Sequence, residues 1–158
     1  MQNFIDINNE NMGGNESFYF SPVGNIKTLP DPVNSIISSS IDFYSSYDFY
    51  IGKANYKSLD FSESQKETDG GPVYNISIKG FYPGLNATML NLFTEMAKYS
   101  HIVKITDFNE NIRIAGTKQA PLKFKFSQVT GSEPGSKNGY NFEFYTQSKN
   151  PVPYYQIT

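Results

Sequence analysis

Apolar side chains, mostly aromatic, alternate with polar ones in several short segments, and this period of two constrains the fold more than any other sequence feature. Residues 122–126 and 140–144 both follow the pattern. Successive side chains of a β-strand point to opposite faces, so each segment predicts a strand with one buried face. The two strands can pair as an antiparallel hairpin that sets Lys123 and Lys125 near Glu143, a favourable cross-strand arrangement.

The same reasoning predicts further strands and marks the breaks between them. Strands are expected at 17–20, 36–51, 73–82, 101–106 and 111–115. Ser45 interrupts the alternation of 36–51 and marks a bulge or a turn there. The prolines of 28–35 indicate a loop, and the very polar stretch 60–72 indicates a mobile loop. The segment 151–155 also contains prolines, which remove ladder donors, so we do not expect it to join a central strand.

One segment, from 86 to about 100, has the period of a helix. Its apolar residues recur on one helical stripe, formed by Leu85, Met89, Leu92, Phe93, Met96 and Ala97. Asn86 is a suitable N-cap, because its side-chain oxygen can accept free backbone N–H groups of the first turn. One helix among about seven strands predicts an α+β fold of mainly antiparallel β structure, a β-sandwich or barrel with the helix on its flank.

The length of 158 residues fits one domain. We expect residues 1–16, which are polar and rich in asparagine, to form a flexible N-terminal arm. Residues 17–158 are then a single β-rich domain that includes the loop at 60–72. The start of the chain lacks the charged residues and apolar run of a signal peptide. No apolar run is long enough to predict a transmembrane helix, and we expect no membrane partner.

The composition argues against several kinds of function. The chain has no cysteine, which excludes disulfides, thiolate metal sites and cysteine nucleophiles. Its net charge is −2, and Arg113 is its single arginine. A protein that binds duplex DNA usually carries a basic patch. The nearest approach to one is Lys118, Lys123 and Lys125, which is too little to predict nucleic-acid binding.

The single histidine, His101, lies at the end of the helix or the start of the next strand. A Ser-His-Asp triad would need a serine close by, such as Ser100. Adjacent residues on a strand point to opposite faces, so Ser100 is poorly placed. We interpret His101 as a structural residue near the carbonyl groups at the helix C-terminus.

Acidic residues cluster at two places without the spacing of an EF-hand calcium loop. They are Asp60, Glu63, Glu67 and Asp69, and then Asp107 and Glu110. We interpret both clusters as solvated loops. A hydrolase with a carboxylate pair ranks last among the hypotheses, because nothing in the sequence selects a pair. The sequence therefore predicts no catalytic residue, no metal ligand and no cofactor, and the chain is not expected to be an enzyme.

Tyrosine is abundant, with 12 residues, whereas tryptophan is absent. Five tyrosines stand out: Tyr44, Tyr47, Tyr50, Tyr154 and Tyr155. Tyrosine is enriched at protein interfaces, where it buries area at low entropic cost. Packing between strands and stacking of sugars or single-stranded bases are the other interpretations. All three remain open at this point.

Several segments of the second half follow one another in a distinctive order. They are 81–84 at the end of a strand, the helix, 102–105 before a polar turn, 112–117, 120–124, 130–131, 138–144 and the aromatic, proline-rich 151–155. In this order, over about 73–155, the chain resembles a small structural protein from the tails of tailed bacteriophages.

The resemblance implies a ring-forming subunit of a tail tube, tail terminator or neck, located in the virion tail and made in the host cytoplasm. Its partners would be copies of itself, in a ring of six, and neighbouring tail or neck proteins. DNA would be only passing cargo. Tail-tube subunits have a long hairpin between rings, and 36–72 is the candidate for it. The alternative is a non-catalytic carbohydrate-binding β-sandwich module, with Tyr47 and Tyr154 as sugar platforms.

Overall fold

A computed structural model describes residues 1–5, 15–107 and 109–158. Its strands are β1 (Asn15–Pro22), β2 (Ile26–Thr28), β3 (Ile36–Ile37), β4 (Asp42–Phe43), β5 (Tyr50–Asn55), β6 (Asp60–Thr68), β7 (Gly71–Pro83), β8 (His101–Thr106), β9 (Ile112–Ala115), β10 (Lys123–Val129), β11 (Gly139–Ser148) and β12 (Tyr154–Tyr155). The helix α1 (Ala87–Met96) lies between β7 and β8. Within these described ranges, no helix is long and apolar enough to cross a membrane.

The strands form two main sheets. The first has the order β3-β12-β9-β8-β1-β5, and the second has the order β10-β11-β7-β6. Neighbouring strands are antiparallel except for the short parallel pair of β12 with β3. A small sheet of β2 and β4 adds a third piece. The predicted α+β fold of mainly antiparallel β structure is confirmed.

The predicted hairpin of 122–126 with 140–144 is confirmed as β10 and β11. Their register places Phe124 opposite Phe144 and Lys125 opposite Glu143. The two phenylalanines are buried, because alternate side chains of each strand point to the face that packs on the core. Lys125 Nζ lies 2.9 Å from Glu143 Oε2 on the other face. The predicted pair at 101–106 and 111–115 is likewise present as β8 and β9.

The helix begins where the sequence predicts and ends earlier. Asn86 Oδ1 accepts a hydrogen bond of 2.8 Å from the backbone N–H of Met89, so it is the N-cap. The last helical residue is Met96. Lys98 and Tyr99 then donate to carbonyls three residues back, the tighter bonding common at helix ends. The buried residues of the stripe are Met89, Leu92, Phe93 and Met96, while Leu85 and Ala97 are exposed.

The main core lies between the two large sheets and α1. It contains aromatic rings from β1, β7, α1, β10 and β11: Phe18, Phe20, Tyr82, Phe93, Phe124, Tyr140, Phe142 and Phe144. A second, smaller cluster lies on the opposite face of the six-stranded sheet. There Ile102 and Ile114 pack against Ile26, Ile37 and Ile41. The six-stranded sheet is therefore covered on both faces.

Residues 1–5 pack onto the core, although they belong to the segment predicted as a flexible arm. Phe4 is only 4% exposed. Its ring centroid is 5.2 Å from that of Phe93 and 5.5 Å from that of Phe20. The backbone N–H of Phe4 donates to the carbonyl oxygen of Ile51, and the N–H of Ile51 donates to Asn3 Oδ1. The prediction for residues 6–14 lies outside the described residues.

Three other expectations differ from the structure. Residues 60–72, predicted as a mobile loop, form β6 and the start of β7, because the backbone of β7 supplies hydrogen-bond partners to a polar strand. The segment predicted as strand at 36–51, with a bulge or turn at Ser45, is divided into β3, β4 and the start of β5, and the chain turns at the neighbouring Ser46, whose φ is 71°. Tyr154 and Tyr155 lie between β3 and β9, because both prolines precede this two-residue strand.

The packing of the first residues yields a stability prediction. Phe4→Ala removes a ring from a filled aromatic cluster, and we expect it to lower the free energy of unfolding by about 3 kcal/mol. Ile5→Ala is the matched control, because Ile5 is 40% exposed; its effect should stay below about 1 kcal/mol. Urea denaturation followed by tyrosine fluorescence measures both. Equal effects of the two substitutions would contradict the docking of Phe4.

Candidate functional site

His101 is buried among phenylalanine rings at the start of β8. Its Nε2 lies 2.9 Å from the carbonyl oxygen of Met96, so Nε2 carries the proton and donates it to the end of α1. The ring centroid lies 5.6 Å from that of Phe144 and 5.9 Å from that of Phe20. Burial lowers the pKa of His101 to about 4, against a smaller opposing effect of the Met96 bond. The predicted position of His101, beside a carbonyl group at the end of the helix, is confirmed.

The acidic residues predicted as solvated loops lie on strands and turns. Among the described residues, no three acidic or histidine side chains are grouped to hold a metal ion. Glu63 Oε2 accepts a hydrogen bond of 2.6 Å from the backbone N–H of Val152. Asp107 accepts bonds from the N–H groups of Asn109 and Asn111 and so closes the turn between β8 and β9. Both carboxylates therefore have structural partners.

The single arginine joins three strands. Its Nη1 lies 2.8 Å from Asp107 Oδ2, and its Nη2 donates to Tyr154 Oη at 3.2 Å. The guanidinium carbon lies 4.7 Å from the ring centroid of Tyr154 and 5.5 Å from that of Phe61. The hydrogen bond from Arg113 is the main cause that lowers the pKa of Asp107 to about 2. Arg113 thus links β9 to β12 and β6.

The five tyrosines singled out from the sequence divide into two groups. Tyr44 and Tyr47 lie in the loop between β4 and β5, and each exposes about half of its surface. Of the other three, Tyr50 packs against Phe20 and Tyr155 against the small core cluster. Tyr154 lies against Arg113 and still exposes 38% of its surface. Sequence reasoning missed Tyr56 and Tyr99, which are about as exposed as Tyr44.

The hairpin of β6 and β7 extends beyond the sheet that carries it. The last pair between β7 and β11 is Tyr74 with Ser148. Pairs of β6 with β7 continue past that point to Thr68 with Gly71. We call residues 66–73 the hairpin tip. Its two strands each continue for three residues beyond the end of β11, which is a length of about 10 Å. Residues 62–70 are all exposed.

β6 is an edge strand, and its outer side is a row of backbone groups. Pro72 has no N–H, so its pair with Glu67 is one that exchanges no hydrogen bonds. The register continues without a shift, so pairs that exchange backbone hydrogen bonds alternate along the hairpin with pairs that do not. Backbone N–H and C=O groups therefore point away from β7 at Phe61, Glu63, Gln65 and Glu67. Within the described chain, no strand pairs with this side of β6.

A groove of about 780 Å³ opens at the end of the sandwich from which the hairpin tip extends. Its walls are the loop 29–32, the connection 116–120 and the segment 147–153, and we call it the end groove. Buried Ile37 and Ile76 lie at its base. Its exposed charged residues are Asp31, Lys118 and Lys149. Lys118 Nζ donates to the backbone carbonyl of Lys27 at 2.7 Å.

The sequence carried a signal for the hairpin that the polar composition obscured. Asp69-Gly70 lies between Thr68 and a segment with strand alternation, and an Asp-Gly step is a strong hairpin signal. The end groove had no such signal, because its three walls are far apart in the chain.

Comparison with known proteins gave no match: neither the scan of protein-family models nor the searches of curated proteins and of solved structures found one. The functional argument therefore uses the geometry of the β6 edge, the hairpin tip and the end groove.

The burial of His101 predicts how stability depends on pH. The ordinary pKa of 6.5 holds in the unfolded chain and falls to about 4 in the fold. Between these values the unfolded chain binds more protons, so the free energy of unfolding should fall by up to about 3 kcal/mol as the pH drops from 6.5 to 4. Below pH 4 this residue adds no further loss. Urea denaturation at a series of pH values measures the effect.

His101→Gln is the control, because glutamine keeps a donor for the Met96 carbonyl and does not titrate. The variant should lose the part of the pH dependence that lies between 6.5 and 4. An unchanged slope in that window would show that other groups cause it.

Proposed function

We propose that this chain is a structural subunit that assembles with copies of itself into a ring in the tail of a bacteriophage. A tail tube, a tail terminator and a neck are the three places that the resemblance of 73–155 suggests for it. Six copies per ring, contacts with neighbouring tail or neck proteins, and passage of DNA as cargo come from the same resemblance. A location in the virion tail follows from this role.

The observation that carries the proposal is the outer edge of β6. Unpaired N–H and C=O groups at a sheet edge are a template for pairing with another chain. β6 is nine residues long, and β10 is the other edge of the same sheet. Pairing of β6 in one copy with β10 in the next would continue the sheet from subunit to subunit. Such a head-to-tail contact closes into a ring when the rotation between copies closes.

The side chains of β6 support specific rather than indiscriminate pairing. Glu63, Lys66 and Glu67 are exposed on this strand, and charged side chains on an edge discourage random strand addition. A partner must therefore offer compensating charges as well as a strand. On the facing edge, β10 carries exposed Lys123, whose positive charge suits the acidic β6. Lys125 on the same strand is already paired with Glu143.

The second candidate function is a carbohydrate-binding module without catalysis. The exposure of Tyr44 and Tyr47 on one loop favours it, since a sugar can stack on an exposed aromatic ring. The other predicted platform is less suitable, because the guanidinium of Arg113 lies 4.7 Å from the ring centroid of Tyr154. Saturable binding to a glycan panel that is lost in Tyr47→Ala would support this function over assembly.

Light scattering after size exclusion, together with negative-stain electron microscopy, tests the assembly proposal. We expect rings with a central hole at high protein concentration. Gln65→Pro removes one outward N–H from the β6 edge and no bond to β7, so it should shift the protein toward monomers with little change in melting temperature. Gln65→Ala keeps the N–H and should assemble like the unchanged protein.

Ser64→Pro provides the converse control. Its N–H points toward β7, so this variant should weaken the hairpin and lower the melting temperature. A protein that stays monomeric at every concentration tested, and does not associate with virions, would overturn the proposal.

A further inference from the structure

We infer that Tyr44, Tyr47 and Lys104 form a binding site for sugars that carry a carboxylate group. The two tyrosines are the stacking surface of the site, and the ammonium group of Lys104 is the partner of the carboxylate. The inference rests on the second candidate function and adds its ligand class and its charged residue. It does not require a ring, since all three residues belong to one chain.

The two tyrosines lie at the ends of a closed β-turn. The backbone N–H of Tyr47 donates to the carbonyl oxygen of Tyr44 at 3.1 Å, so the Cα atoms of these two residues lie within about 7 Å of each other. The third residue of the turn, Ser46, has a φ of 71°, the sign that a type II turn requires at that position. The N–H of Tyr44 donates to the carbonyl oxygen of Asn25 at 3.0 Å. These bonds fix the backbone that carries both rings, which reduces the entropic cost of binding a ligand.

Lys104 lies at the base of this turn. The rings of Phe43, just before the turn, and Phe49, two residues after it, contact each other with their centroids 5.1 Å apart. Lys104 Nζ lies 5.1 Å from the ring centroid of Phe49 and 4.3 Å from that of Tyr19. Tyr19 is paired with Lys104 on one side and with Ile51, which is 37% exposed, on the other. Together with the two tyrosines of the turn, these residues form what we call the aromatic patch.

The charge of Lys104 is poorly compensated within the fold. Among the described residues, the ion pairs do not include Lys104. Burial lowers the pKa of Lys104, and the carboxylate of Asp48 opposes this effect but is weaker. A lowered pKa means that the neighbours of the ammonium group replace only part of the water that it has lost. A ligand carboxylate would supply the missing interaction, because hydrogen bonds between charged groups are the stronger ones.

The area of the aromatic patch suits a small ligand. Tyr44 exposes 53% of its surface and Tyr47 exposes 50%. A fully buried aromatic side chain covers roughly 150–250 Å², so each of these rings offers roughly 100 Å². A stable protein contact buries about 800 Å² on each partner. The patch is therefore too small for a stable protein contact, and its size fits a short oligosaccharide.

The chemistry of the patch favours an acidic sugar over a nucleic acid. A tyrosine has an apolar ring face for the C–H groups of a sugar, and its hydroxyl group both donates and accepts hydrogen bonds. Single-stranded nucleic acids also stack on tyrosine, but the proteins that bind them add a positively charged groove that follows the backbone. The patch contains one cation, Lys104, with the acidic Asp48 beside it. One carboxylate on a sugar ring matches that single charge.

The other accessible surfaces lack this combination. The end groove is larger, but its described lining contains no aromatic residue. The hairpin tip, residues 66–73, has charged side chains and no aromatic one. Tyr99 is 50% exposed but follows α1 and lies outside the patch. Exposed rings and a poorly compensated ammonium group therefore meet at the β4–β5 loop.

NMR titration of the isotope-labelled protein tests the inference. The acidic probes are oligomers of galacturonic, glucuronic and mannuronic acid, and sialyllactose. The matched neutral probe is the methyl ester of the galacturonic acid oligomer, which keeps the sugar ring and removes the charge. We expect saturable binding of at least one acidic probe, with the largest shift changes at 43–51, Tyr19 and Lys104. If galacturonic acid is bound, its ester should bind roughly tenfold more weakly.

Two kinds of variant separate stacking from charge. Tyr47→Ala removes one ring, and we expect the affinity for the acidic sugar to fall on the order of tenfold. Lys104→Met keeps an unbranched side chain between the rings and removes the charge, so it should bind the acid and its ester equally. Lys104→Arg keeps the charge and should keep the preference for the acid. A purely structural role of Lys104 would instead lower both affinities together.

Tyr99→Ala is the matched control, because it removes an equally exposed ring outside the patch. It should bind like the unchanged protein, and equal losses in Tyr99→Ala and Tyr47→Ala would overturn the inference. Circular dichroism checks that each variant is folded. If Lys104→Met is unfolded, the comparison of acid with ester on the unchanged protein still tests the role of the charge.

The possible results separate this inference from both candidate functions. Equal binding of acid and ester by the unchanged protein would overturn the role of Lys104 and leave carbohydrate binding in place. Shift changes confined to another surface, or binding of a single-stranded oligonucleotide in place of every sugar, would overturn the site. No binding of any acidic probe would overturn it too, and a neutral glycan panel then decides the second candidate function. Ring formation is measured separately and is unaffected by these results.

Discussion

The contact between aromatic rings of the two sheets is the interaction on which the rest of the structure depends. Phe93 of α1 lies within 5.1 to 6.2 Å, centroid to centroid, of rings from three sources: the N-terminal segment, β7 and the β10–β11 hairpin. Edge-to-face and tilted geometries dominate, which suit the ring quadrupole. Phe18 of β1, in the six-stranded sheet, joins the same cluster with its ring centroid 5.5 Å from that of Phe142. The cluster therefore holds the helix, both sheets and the first residues of the chain together.

Two glycines allow the rings to approach the sheets so closely. A Cβ atom at Gly52 would overlap the ring of Phe18, and one at Gly80 would overlap the ring of Phe142. Each glycine is opposite its phenylalanine across a strand pair. The bulky residue uses the volume that the glycine leaves empty, which keeps the interior at the density typical of folded proteins. The glycine sites in these strands are thus set by packing.

The parts of the fold that follow from local alternation could be predicted, and the parts that depend on distant partners could not. The β10–β11 hairpin and α1 each have one face on the core, so their apolar residues recur with the period of a strand or of a helix. β6 has no buried stripe beyond Phe61, and its polar sequence looked like a loop. Phe4 is the buried anchor of a short segment, and one buried residue does not establish a period. No local sequence pattern predicts the end groove, because its walls come from three separate segments of the chain.

His101 and Arg113 each have partners within the fold. Both are the kind of residue that carries catalysis or phosphate binding in other proteins, yet each is engaged in holding elements together. His101 contacts the ring of Phe144 and the carbonyl group of Met96 at the end of the helix. Arg113 donates to the carboxylate of Asp107.

What the fold leaves accessible is backbone on the outer side of β6, together with a charged turn beside a groove. Backbone hydrogen bonds are the same for every strand, so an edge alone cannot select a partner. In the proposed assembly, charged side chains beside the edge would add the missing selectivity, because they would favour one partner and repel copies that meet in another orientation. The strand would then supply hydrogen bonds, and the charges would determine which surfaces form them.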